Sequence, residues 1–308
     1  MILEGGEGRA RSGREEALPS RPQRRKSRKG CKTAGFAPLI ALALLSAGAM
    51  ALHPAKAQIS PVNLPANHDP IRGFDIPHDR LMDSLADLPP SVQAAISADP
   101  DRFVSMLRPV LQLASTRYLS PIDKRRSLPP SYRPAHLVPL DRYPALHTSV
   151  PGMMVNPLIM RDLLRMCAAA EREGVILKIS SAYRSYHRQR DIFARQVLRR
   201  GWTQAVRRSA RAGHSEHQLG TTIDFGSISN AFCGTAAERW LRRHAREYGF
   251  SISYPPGMEK LTGYIPECWH FRHLGREALA LSDRFFGGLS TIMLSYIDDN
   301  ADWLAPSR

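Results

Sequence analysis

The chain has 308 residues, enough for one sizeable domain with extensions or two small ones, and a formal net charge of +15. The charge divides into +7 for residues 1–57, from eleven Lys/Arg and four Asp/Glu, and +8 for the remainder, from 32 basic and 24 acidic residues. A basic excess of this size favours an anionic partner such as a cell-wall polymer, a membrane surface or nucleic acid. The absence of zinc-finger spacing and of an aromatic RNA-binding signature speaks against nucleic acid.

Residues 1–57 read as a basic extension followed by an export signal. Arg24-Arg25-Lys26-Ser27-Arg28-Lys29 and Lys32 precede an uncharged, mostly apolar run over 34–52, and Ala55-Lys56-Ala57 supplies a small-x-small cleavage site before Gln58. An uncleaved membrane anchor is the alternative, because 19 uncharged residues can just span a bilayer. Pro38 and the small residues favour cleavage, so the expected location is the periplasm or cell envelope. Export permits disulfides. Once Cys31 leaves with the signal, Cys167, Cys233 and Cys268 allow one pair at most. Cys233 with Cys268 is favoured because both flank the motifs described below. Cys167 falls in an apolar helical pattern and reads as a buried thiol.

Residues 58–115 form a proline-punctuated lead-in, extended to about Pro90, and then a helical segment over 91–115. Residues 116–286 form the main domain. Its first part, 121–151, is proline-rich and predicted to wrap the domain in extended form. An amphipathic helix over 156–173 ends at Gly174, and residues 175–179 are the clearest strand, delivering Tyr183 and Arg184 to a loop. A helix over 186–199 follows. Nine arginines fall between Arg184 and Arg211; a solvated face accounts for most of them, and contact with acidic wall polymers is the sharper reading. Further elements are a strand beginning after Gly220, a helix over 235–248, strands over 250–254 and 269–274, and a helix over 276–285. Residues 287–308 are a tail, packed as a short helix or loose. Helices and short strands without regular βαβ alternation predict an α+β domain with a small, mainly antiparallel sheet, flanking helices and the site on one face of the sheet.

Ser215-Glu216-His217-Gln218-Leu219-Gly220-Thr221-Thr222-Ile223-Asp224 and the later Glu267-Cys268-Trp269-His270 carry the chemistry. Two imidazoles and a carboxylate suffice to hold a catalytic zinc ion and leave its fourth position to water. A further glutamate three residues before the last histidine is then free to take that water's proton. In an unbroken strand, positions seven apart face opposite ways, so His217 must come from a turn before Gly220 if it shares an ion with Asp224. The same parity places His270 and Arg272 on one face, with Trp269 and Phe271 on the other. His214 and His273 are further imidazoles able to bind metal, but neither has a second matching partner.

Ser181-Ala182-Tyr183-Arg184-Ser185-Tyr186 with Gln189, Ser215-x-His217-x-x-Gly220-x-x-x-Asp224, and Glu267-x-Trp269-His270-Phe271-Arg272 together resemble the VanY-type D-alanyl-D-alanine carboxypeptidases of the LAS group of zinc peptidases. The resemblance covers about residues 116–285, including the Leu128-Pro129-Pro130-Ser131-Tyr132-Arg133-Pro134 lead-in and Tyr248-Gly249-Phe250. It implies one Zn2+ per chain on His217, Asp224 and His270, with Glu267 as general base and then acid. By the same resemblance Arg184 stabilises the oxyanion, Gln189 and Ser215 hold the peptide end, and Tyr183 and Trp269 shape the pocket. The implied substrate is the D-alanine end of peptidoglycan stem peptides, cut at a D,D or an L,D bond. Two departures stand out: Thr222 where the family usually has alanine, and Cys268 where it often has proline. Neither removes a reacting group. A wall endopeptidase with the same site and a non-catalytic, zinc-stabilised wall-binding module are the competing readings.

Overall fold

Proline marks where the first helices begin. The computed structural model describes residues 77–114 and 117–304, so the expected export signal and most of the expected lead-in lie outside the described residues. Pro77 precedes α1 (His78–Asp83), and α2 (Pro90–Ala98) and α3 (Pro100–Ala114) each begin on proline. A ring locked near the helical φ is harmless in a first turn, where the N–H would have no acceptor within the helix. The helical stretch expected over 91–115 is thus two helices. Asp99, preceding Pro100, is forced out of helical geometry to φ −152° and ψ 64°. α1 lies in a segment expected to be extended.

The wrapping segment is pinned at a few points. β1 (Val138–Pro139) pairs antiparallel with β2 (Met154–Val155), and Leu128 N–H donates to the Gly213 carbonyl at 2.9 Å. α4 (Met160–Arg172) follows a 3-10 turn capped by Asn156, whose Oδ1 accepts from Leu158 N–H at 3.0 Å. β3 (Ile179–Ser181) starts four residues later than the sequence pattern indicates. Backbone partners explain the shift. Ile179 N–H donates to His147 at 2.7 Å and its carbonyl accepts from Ser149 at 2.8 Å, while residues 175–178 flank it outside any strand.

Ser185 caps α5 (Tyr186–Arg200), and Gly201, at φ +72°, turns the chain into α6 (Trp202–Arg208). Next come β4 (Thr222–Phe225), α7 (Ala236–His244, capped by Thr235), β5 (Phe250–Ile252), α8 (Glu259–Thr262), β6 (His270–His273) and α9 (Arg276–Phe285). The tail forms α10 (Ser290–Asp299) and α11 (Ala301–Leu304). It is not loose. Met293, Tyr296 and Leu304 are buried, and the Phe103 ring of α3 meets Phe285 at 5.2 Å and Tyr296 at 5.9 Å. Helices from both ends of the described chain therefore share one apolar cluster with the sheet.

The four-stranded sheet has the order β3-β4-β6-β5, with every neighbouring pair antiparallel. Thr222, Ile223 and Asp224 pair in register with Arg272, Phe271 and His270. Alternation then assigns Thr222, Asp224, His270 and Arg272 to one face and Ile223, Phe225 and Phe271 to the core. The α+β architecture expected from the sequence is the one observed.

Candidate metal centre

Register brings Asp224 and His270 together, and a turn supplies the third donor. His217 lies in a 3-10 turn, Glu216–Leu219, closed by Gly220 at φ +72°. A Cβ at Gly220 would approach Asn156 N and the Leu137 side chain to 3.1 Å, so the turn needs glycine for conformation and for space. His217 Nε2 lies 3.1 Å from Asp224 Oδ2, and His270 Nδ1 lies 3.1 Å from Asp224 Oδ1. One donor atom from each of the three residues falls within 4.8 Å of the others, and all three residues are buried.

Zinc–ligand bonds of about 2.0–2.2 Å at a tetrahedral angle separate ligand atoms by roughly 3.3 Å. The donor set fits that requirement. The remaining imidazole nitrogens fit it too. His217 Nδ1–H donates to the Ala182 carbonyl at 2.7 Å, which leaves Nε2 with its lone pair. His270 Nε2 is held by Glu216 Oε2 at 2.9 Å, so Nδ1 faces the site. Metal-binding histidines are oriented in this way by their second nitrogen. Asp224 and Glu216 also hold His270 well above the ordinary imidazole range despite its burial. A field that favours an imidazolium equally favours a divalent cation.

Glu216 is the functional residue that the sequence reading missed. It is buried, and its carboxylate accepts from Arg272 Nη1 at 3.0 Å and Ser253 Oγ at 2.6 Å besides contacting His270. Burial works against its charge, but Arg272 and His270 outweigh burial and hold the group far below the ordinary carboxylate range. Arg272 is anchored in turn by the carbonyls of Tyr118 at 3.0 Å and Ser120 at 2.9 Å. A signal was present: strand parity aims Arg272 at the site face, and a buried guanidinium requires a carboxylate.

Glu267 and Arg184 flank the triad. Glu267 Oε2 lies 3.6 Å from His270 Nδ1, and burial, only partly offset by His270, pushes its carboxyl up to about 7. A base poised there can both accept and return a proton near neutrality. Arg184 Nη2 donates to Ser181 Oγ at 2.7 Å and approaches Asp224 Oδ2 at 3.5 Å, while Nη1 donates to Gln189 Oε1 at 2.8 Å. Gln189 is itself buried, and its amide nitrogen donates to the Ala210 carbonyl at 2.6 Å. Its amide therefore holds Arg184 from the wall of the cleft that Gln189 itself lines. Three contacts use three of the five guanidinium donors and leave two.

These groups line a cleft of about 510 Å³ together with Ser215, Trp269 and Tyr254, whose ring lies 4.8 Å from His270. Tyr183 is not among the lining residues; its ring faces the Arg133 guanidinium at 6.0 Å. His273 points into the core, where Tyr118 and Asp162 bind its two nitrogens, and His214 Nδ1 is 2.7 Å from the Asp123 carbonyl. Neither joins the triad. Cys233 and Cys268 form a disulfide, and Cys167 is free and buried. Thr222 Oγ1 is buried with no hydrogen-bond partner among the described residues.

The profile of the D-alanyl-D-alanine carboxypeptidase family VanY matches residues 152–276, which contain the whole triad, Arg184 and Glu267. The solved structure of LdcB, an LD-carboxypeptidase, is 32% identical and superposes with a TM-score of 0.51, covering 57% of this chain and 85% of that one. The chain belongs to the VanY family. Among its VanY-family relatives, YodJ of Bacillus subtilis strain 168 is 36% identical over 166 residues, 52% of this chain and 61% of that protein. A D-alanyl-D-alanine carboxypeptidase of Enterococcus faecalis is 34% identical over 136 residues, 41% and 51% of the respective chains. The chain thus spans between half and two thirds of these two relatives. Among the described residues, no helix is long and apolar enough to cross a membrane.

Proposed function

We propose that this protein is an exported, zinc-dependent carboxypeptidase that removes the terminal D-alanine of peptidoglycan stem peptides. The observation that carries the reading is the convergence of His217, Asp224 and His270 within 4.8 Å, with a raised carboxyl at Glu267 beside them. His217 Nε2, an Asp224 oxygen and His270 Nδ1 would hold the ion. Bound zinc supplies Lewis acidity and acidifies a water to near neutral pH.

The chain's own groups account for the remaining chemistry. Glu267 accepts a proton from the attacking water as the new C–O bond forms. It returns that proton to the nitrogen as the C–N bond breaks, which releases the amine of free D-alanine. Arg184, fixed by Ser181 and Gln189, directs its remaining donors at the charge that grows on the scissile carbonyl oxygen. Ser215 and Trp269 line the same cleft and would bound the peptide end.

Defined tetra- and pentapeptide muropeptides, digested with and without chelator, test the reading. Release of free alanine that stops with chelator and in Glu267→Gln is expected. Cleavage at an internal bond would establish the endopeptidase instead. Wall binding without any product would leave a non-catalytic module.

A further inference from the structure

Gln189 ties a second helix to the reacting end of the cleft. Its amide nitrogen donates to the Ala210 carbonyl at 2.6 Å and to Ser209 Oγ at 3.4 Å, while its oxygen accepts from Arg184. α6 ends at Arg208, immediately before these two residues. The same end of α6 is fixed from the other side, because Ile265 N–H donates to the Arg207 carbonyl at 3.0 Å, two residues before Glu267. From this position Arg208 lines the cleft, whereas Arg207 lines no part of it. Arg208 is exposed, as are the other arginines of α5 and α6. Its place beside Gln189, not its burial, singles it out.

A peptide that loses its last residue brings a free carboxylate to this end, one residue past the scissile bond. An anion entering a cleft gives up hydration and needs charged donors in exchange. Three arginines line the cleft: Arg184, Arg200 and Arg208. Arg184 spends three contacts on Ser181, Gln189 and Asp224, and its remaining donors serve the scissile carbonyl oxygen. Arg200 lies eleven residues from Gln189 along α5, about 16 Å at 1.5 Å per residue. A carboxylate one residue past the scissile bond, about 3.3 Å of extended chain, is out of its reach. The Gln189 amide is already engaged. Arg208 has no carboxylate partner among the described residues, so its guanidinium is uncommitted.

We propose that Arg208 binds the free α-carboxylate of the residue that is released. The inference rests on the carboxypeptidase reading and names the side chain that makes the site demand a chain end. A guanidinium presents a planar fork of donors that matches a carboxylate. That match is lost when the chain end is an amide or the chain continues.

The test uses one peptide ending in D-Ala-D-Ala, made as the free acid and as the C-terminal amide. Binding is measured by calorimetry to zinc-loaded Glu267→Gln, and turnover with the chain that keeps Glu267. The acid should bind about tenfold more tightly than the amide, the effect of one hydrogen-bonded pair of opposite charges. Adding Arg208→Gln should weaken the acid to the level of the amide and leave the amide where it was. In turnover of the acid, Arg208→Gln should raise KM about tenfold with little change in kcat. Arg207→Gln removes the same charge from the neighbouring position outside the cleft and should keep the preference. Equal binding of acid and amide overturns the assignment. So does a preference that survives Arg208→Gln, a loss that falls on both peptides alike, or an equal loss in Arg207→Gln, which would mark a general field. A preference that depends on Arg208 without release of alanine leaves the carboxylate subsite standing and overturns the activity alone.

Discussion

Glu216 Oε2 and His270 Nε2 meet at 2.9 Å although 54 positions separate them. The contact decides which nitrogen of His270 faces Asp224. Glu216→Gln keeps the shape but removes the charge that balances Arg272 and steadies the imidazole. We expect zinc affinity to fall about 10–100-fold, the usual cost of losing such an outer partner. Competitive titration against a zinc chelator measures it; unchanged affinity would show that Glu216 serves packing alone.

Arg184 and Gln189 should act as one unit. Arg184→Gln is expected to lower kcat about 10²–10³-fold, the range for a lost oxyanion donor, with little change in KM. Because the Gln189 amide is spent on Arg184 and Ala210, adding Gln189→Leu to Arg184→Gln should cost almost nothing more. A double-mutant cycle reads this directly. Additive losses would mean that Gln189 contacts the substrate on its own account.

The Cys233–Cys268 disulfide closes a loop with a sequence separation of 35. Its removal in Cys233→Ser/Cys268→Ser should lower stability by roughly 3–4 kcal/mol, chiefly by releasing the unfolded chain. Denaturant midpoints with and without reductant check the figure. Cys268 also sits between Glu267 and Trp269, so turnover should fall in the same variant. Full stability under reducing conditions would show that packing alone holds this loop.

Acid should loosen the back of the sheet. Burial disfavours the Asp162 charge, but the hydrogen bond and charge of His273, with Arg161 and Arg276, outweigh it and hold the carboxyl below its ordinary 3.8. A depressed carboxyl contributes stability that is present above its unfolded value and lost as pH falls through the folded one. Urea midpoints of the unsubstituted chain should therefore decline from pH 4 downward more steeply than those of Asp162→Asn. Parallel curves would remove Asp162 from the account.

Much of this arrangement was legible in the chain because local rules and parity agreed. Gly220 marked the break that lets His217 join Asp224, and alternation along β6 assigned His270 and Arg272 to one face. The helices expected over 186–199 and 235–248 begin within a residue of their observed starts. The misses share a cause: their determinants are distant in sequence. β3 is positioned by His147 and Ser149 rather than by its own apolar run. The tail packs because Phe103, nearly two hundred residues earlier, offers it a ring. Glu216 stood beside a recognised histidine, yet only the partner contributed by β6 gives it a role.

The pairing of Asp224 with His270 across β4 and β6 has one more consequence. Sliding β6 by a single residue would exchange His270 for an aromatic neighbour and leave the ion one donor short of its ligand set. A metal held by these three residues would thus reward one alignment of the two strands over every other, and the proposed catalytic ion would double as a proofreader of how the sheet was assembled.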